Sequence, residues 1–143
     1  MMKSWKLSIA ISSALALGLL GAAADDSPDV SKLPPASSQT GVTYDKDIKP
    51  IFDKNCIECH GGQKPAHKLS LESLAGAMKP GKEGPYIVAG DLSKSPLLFA
   101  VAHVGDPDDF MPPPKNKKTH KDLLPLTKDQ VGLIRAWIEQ GAK

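Results

Sequence analysis

Cysteine is scarce in this chain: two stand among 143 residues. Aromatic residues make up only 5%, strand patterning is nearly absent, and no internal repeat is present. Net charge is small as well, a formal +2. Each shortage excludes something. With little strand signal, the expected architecture is all-α, small and loop-rich. With so few aromatics, a domain of this size sits near the limit of what burial alone stabilises. A balanced charge gives no global basic field, so nucleic acid is not an expected partner. Two cysteines supply half of a structural zinc site, which needs four ligands. The histidines away from the cysteines, His67, His103 and His120, include no pair at finger spacing.

The chain divides into three parts. Residues 1–24 have a basic head with Lys3 and Lys6, an apolar run, and an Ala22-Ala23-Ala24 exit before Asp25. These are the parts of a secretory signal peptide, so export to the periplasm is the expectation. The alternative is an uncleaved membrane anchor, since the run is borderline in length for a bilayer. Removing Lys3 and Lys6 takes away no acidic residue and leaves 16 basic against 16 acidic residues. Residues 25–42 are rich in Asp, Pro and Ser and predict a flexible linker. Residues 43–143 remain for the folded domain.

Within that domain, VTYDKDIKPIFDKN places Tyr44, Ile48, Ile51 and Phe52 on one helical face. Pro50 requires a kink there or a helix that starts near it. The segment 61–91 is Gly- and Pro-rich and predicts loop, with a short helical turn in 69–78 and a short strand at 86–88. SKSPLLFAVAHV predicts a second helix, with Ser95 as cap and Pro96 as first residue. LTKDQVGLIRAWIEQGA predicts the best helix. Thr127 and Gln130 match a capping box, Val131, Ile134, Trp137 and Ile138 share a face, and Gly141 stands where a helix ends.

The two cysteines lie in NCIECHGG, where Cys56 and Cys59 are followed directly by His60. A disulfide across so short a loop restrains little of the unfolded chain, and its redox use belongs with a βαβ sheet that this sequence does not suggest. Cys-x-x-Cys-His is the pattern of c-type haem attachment. Two thiols on one turn add to the two vinyl groups, and the next side chain reaches the iron. One covalently attached haem c, with His60 as the first axial ligand, accounts for all three side chains. It would also ease the shortage of apolar core.

The sixth position of the iron decides function. FMPPPK, 110–115, offers Met111, which the following prolines hold on a stiff segment with few backbone donors. Rival candidates are Met78 in a loop and His103 at the end of the second helix. His67 is too close to the motif to cross the haem, and His120 lies in a lysine-rich stretch.

Taken together, CIECHGG, AGDLSKSPLL, MPPP and LTKDQVGLIRAWIEQGA resemble the small planctomycete-type cytochrome c domains, and class I cytochromes c more broadly. The resemblance runs from about residue 43 to the C-terminus. It implies haem c on Cys56 and Cys59 with His60 and Met111 as axial ligands. It also implies first and last helices that pack together, with Phe52 and Trp137 as the aromatic contact. His/Met ligation leaves no open position and favours one-electron transfer, so the expectation is a periplasmic carrier and not an enzyme. The alternatives are a haem-accepting subunit of a periplasmic dehydrogenase, or a ligand-binding or peroxidatic haem protein if Met111 is displaced. His60 is expected to donate its second ring nitrogen to a backbone carbonyl. Lys115, Lys117, Lys118 and Lys121 form either a solvated loop or a ring that steers an acidic redox partner.

Overall fold

Five helices and a set of tight turns carry the chain in a computed structural model that describes residues 28–114 and 124–143. The helices are α1 (Lys49–Asn55), α2 (Ile57–His60), α3 (Leu74–Ala77), α4 (Pro96–Ala102) and α5 (Lys128–Glu139). Among the described residues there is no strand. The expected strand at 86–88 is absent, and the one β-type pairing is an isolated bridge between Gly81 and Gly84. The N-terminal segment 1–24 and the lysines at 115–121 lie outside the described residues.

Helix α5 forms as its sequence predicts. Thr127 Oγ1 accepts from the Gln130 N–H at 3.2 Å, and Gln130 Oε1 accepts from the Thr127 N–H at 2.9 Å, closing the capping box. Val131, Ile134, Trp137 and Ile138 are all buried on the core face. Gly141, at φ 97°, ends the helix in a conformation that costs other residues more. The chain then turns back, and the Lys143 carbonyl accepts from Trp137 Nε1 at 3.0 Å and from the Tyr44 N–H at 2.8 Å.

The Pro50 difficulty is resolved upstream of the proline. Pro50 lies in the first turn of α1, where a missing N–H leaves no helical bond unmade. Residues Tyr44–Ile48 form a wide π-helical turn, closed by the Lys49 N–H on the Tyr44 carbonyl. The wider turn gives room one turn back, where a proline ring collides with a regular α-helical carbonyl. Asp47 anchors this turn by accepting from the Thr43 N–H at 2.8 Å.

Helix α5 packs on this turn and on α4. Tyr44 is the centre of the contact. Its ring lies 5.7 Å from Trp137 and 6.1 Å from Phe52, both tilted. The expected Phe52–Trp137 contact is thus made through a third ring. Tyr44 is 1% exposed, and its hydroxyl donates to the Leu71 carbonyl at 2.7 Å.

The stretch expected as a flexible linker is pinned along α5 over 28–42. The Ser37 N–H donates to the Gly132 carbonyl at 2.9 Å, and Arg135 Nη1 donates to the Pro34 carbonyl at 3.0 Å. Gln140 bridges two points, donating to the Gln39 carbonyl and accepting from the Val42 N–H. Leu33 and Val42 are buried. A Cβ on Gly132 would stand 2.6 Å from the Pro35 carbonyl oxygen, so the close approach depends on glycine in mid-helix.

Burial raises the Tyr44 phenol above its ordinary value of 10.0, with nearby carboxylates, Asp53 first, adding to the rise. A raised acid contributes stability that is complete below pH 10 and is lost as pH climbs past it, because the unfolded phenol ionises first. Tyr44→Phe is expected to lose about 1–3 kcal/mol near neutrality, since the Leu71 carbonyl loses its buried donor. It should also flatten the alkaline decline. Urea melts at pH 7 and pH 11 check both effects.

Candidate functional site

The motif turn is shaped by its own backbone. Helix α1 ends at Asn55, and Cys56 takes up φ −129°, ψ −36°, which breaks the helix before α2. The Cys56 carbonyl accepts from the N–H groups of both Cys59 (3.1 Å) and His60 (2.9 Å). Four residues apart on a helical path, Cys56 and His60 share a face. The chain leaves through Gly61, where a Cβ would come within 2.6 Å of the Ile57 carbonyl oxygen. Only glycine permits that exit without a shift. Glu72 Oε2 then accepts from the Gly62 N–H at 3.0 Å and holds the returning chain beside the motif.

That return orients His60. The Leu71 N–H donates to the His60 carbonyl at 2.7 Å, and His60 Nδ1 lies 3.3 Å from the Leu69 carbonyl. A carbonyl only accepts, so the geometry assigns the ring proton to Nδ1 and leaves Nε2 as the lone-pair nitrogen. Burial holds the His60 pKa below its ordinary value, which favours the neutral ring that a metal requires. The Leu69 carbonyl is the partner that the sequence could not name.

Cys56, His60 and Met111 line one cleft of about 580 Å³, within the usual range for cofactor sites. Leu69 and Leu71 belong to the wall on the His60 side, and Leu97, Phe99 and Val101 of α4 supply further apolar lining. Cys59 is half-buried in α2 and is not among the lining residues. The cysteines form no disulfide. Burial pushes the Cys56 thiol up to about 12, whereas a dithiol redox centre works through a lowered value. A neutral imidazole with Nδ1 tied back, a thioether, two thiols on one turn and an apolar cleft fit a covalently held haem.

The rivals separate. Met78 packs against the core and is not in the cleft lining. His103 is also outside that lining, its ring lying on Phe110 instead. His67 does line the cleft, and its charge interaction with His60 places it near the motif. It sits at φ 53°, followed by Lys68 at φ 61°. His120 lies outside the described residues. Four acidic residues also belong to the lining, Glu83, Asp106, Asp108 and Asp109, all exposed; the last three stand in the stretch just before Met111.

Ser95 secures the α4 wall in a way that its expected capping role does not describe. Its side chain is fully buried and makes no cap bond to α4. Its Oγ accepts from the Val88 N–H at 2.9 Å and donates to the Asp91 carbonyl at 2.7 Å, tying the 86–91 loop to the start of the helix. The Leu97 N–H also donates to the Tyr86 carbonyl, at 3.1 Å. Ser95→Ala leaves the Val88 N–H without this partner, with an expected loss of about 1–3 kcal/mol in a denaturant titration.

Searches against curated proteins and against solved structures returned no match. A family model described as Planctomycete cytochrome C does match, over residues 56–115. A cytochrome c family domain brings with it haem binding and electron transfer as the class of chemistry. The matched segment begins at the first cysteine, ends four residues past Met111 and contains every lining residue named above; over that segment the chain is similar to planctomycete-type cytochrome c domains.

Proposed function

We propose that this protein is a periplasmic monohaem c-type cytochrome that carries single electrons between redox partners. The convergence of Cys56, His60 and Met111 on one apolar cleft supports this reading best. When bound, haem c supplies a one-electron couple whose potential is raised by methionine ligation.

The chain's part is to hold and to exclude. Cys56 and Cys59 would anchor the group, their thiols adding to its two vinyl groups to give thioethers. His60 would offer Nε2 to the iron, its ring held by the Leu69 carbonyl. Met111 would offer its sulfur as the second iron ligand, on a backbone fixed by its N–H on the Ala100 carbonyl at 3.0 Å. The Leu69, Leu71, Phe99 and Val101 side chains keep water from the site. With His60 and Met111 both holding the iron, a bound haem would have no open position for a substrate, which favours a carrier over an enzyme.

The partner is proposed to be acidic and to be steered by Lys115, Lys117, Lys118 and Lys121. The exposed carboxylates of the cleft rim work against this, so the sign of the salt effect decides it.

Two experiments check the proposal. In the first, acid-acetone extraction should leave the pigment on the polypeptide, and the ferric protein should show the weak near-red band of a thioether ligand. Met111→Ala should abolish that band and let cyanide and carbon monoxide bind. A pigment that extracts freely refutes the covalent reading. In the second, replacing the four lysines with Gln should slow electron transfer to an acidic partner and weaken its dependence on ionic strength. An unchanged rate removes the acidic partner.

A further inference from the structure

We propose that His103 is a positioning residue for the methionine ligand: its ring, stacked on Phe110, clamps the loop that presents Met111 to the cleft. The inference rests on the ligand role given to Met111 above.

Helix α4 ends at Ala102, and His103 follows it in the left-handed conformation at φ 54°, ψ 46°. Two loop amides then meet at one carbonyl. Ala100 O accepts from the His103 N–H at 3.2 Å, where the loop departs, and from the Met111 N–H at 3.0 Å, where it returns. Between them the chain makes a 3₁₀ turn at Pro107–Asp109, capped by Asp106 Oδ1 on the Asp108 N–H at 2.9 Å. The side chains close the same ring. The His103 and Phe110 rings are nearly parallel, 9° apart, with centroids 4.6 Å from each other. Phe110 is the immediate neighbour of Met111, so whatever fixes its ring also fixes the backbone that carries the thioether.

The choice of residue at 103 is informative. A left-handed helix end is ordinarily served by glycine or asparagine. His103 instead carries a ring whose Nε2 is buried without a hydrogen-bond partner among the described residues. Buried polar atoms in native proteins are nearly always paired, so an orphan calls for a reason. The parallel stack supplies one, because it uses the ring and makes no use of the nitrogen. Neither ring is among the residues that line the cleft, so the effect on the iron passes through the Met111 backbone.

Two substitutions in the full haem-loaded protein separate ring from backbone. His103→Asn tolerates the left-handed conformation and removes the stack. His103→Phe keeps an aromatic ring and removes the nitrogen. In the ferric protein, cyanide must displace Met111, so its affinity reports how readily the loop opens. His103→Asn is expected to bind cyanide about fivefold more tightly, equivalent to about 1 kcal/mol, and to lose the near-red band at a lower temperature. His103→Phe is expected to stay within about twofold of the native protein in affinity. An Asn variant that binds cyanide as weakly as the native protein overturns the clamp. So does a Phe variant that behaves like the Asn variant, since the stack would then not be the agent. Failure of the ligand reading looks different: the native protein would lack the near-red band, and Met111→Ala would leave cyanide affinity unchanged. That result overturns both.

Discussion

The peptide group of Leu71 links the core to the site. Its N–H holds the His60 carbonyl, and its carbonyl receives the Tyr44 hydroxyl, both at 2.7 Å. Two residues earlier, the Leu69 carbonyl holds the His60 ring. The orientation of the His60 ring is therefore tied to a tyrosine packed near both Phe52 and Trp137. In a domain poor in aromatics, three of the largest rings meet at the tyrosine whose hydroxyl holds the Leu71 carbonyl. Core packing and imidazole orientation are in this sense one constraint, because the hydrogen bond that stabilises the fold is two peptides away from the one that sets the tautomer.

The second wall obeys a different logic. It hangs from α4, whose start is held by Ser95 and whose end is held by the paired amides on the Ala100 carbonyl. A helix of seven residues cannot stand alone in water. It is held at both ends by chain that comes from elsewhere in the sequence. The cleft between the walls is apolar inside and carboxylate-rich at its rim, so its interior and its mouth present opposite characters to whatever approaches.

Much of this was legible in the residues. Helix α5 was readable because its signals are local and agree with one another: cap, apolar stripe and terminal glycine all lie within the segment. Cys56, His60 and Met111 stand out through the Cys-x-x-Cys-His spacing and an unusual Met-Pro-Pro stretch, and the fold brings all three to one cleft. What stayed hidden was non-local. The carbonyls of Leu69 and Ala100 carry no side-chain signature, since every residue has one. Ser95 looked like a helix cap because Ser before Pro usually is one, yet its hydroxyl was taken by the 86–91 loop. Tyr44 was visible as an apolar position, but its hydroxyl partner lies 27 residues away. Pro50 takes the second of the two arrangements that its sequence allows, a place in the first turn of α1; the π-helical turn ahead of it carries no such local signal.

The tract at 28–42 misled for an instructive reason. Its composition suggests that it buries too little to order itself, and by itself that reasoning holds. Its donors and acceptors are instead met by Gly132, Arg135 and Gln140, which α5 supplies from the far end of the chain. The autonomous folding unit is therefore wider than the segment 56–115 that the family model matches. A recombinant fragment cut at Val42 would leave a flank of the last helix bare, with a glycine notch and an arginine facing water, and the sensible place to trim lies ahead of Leu33.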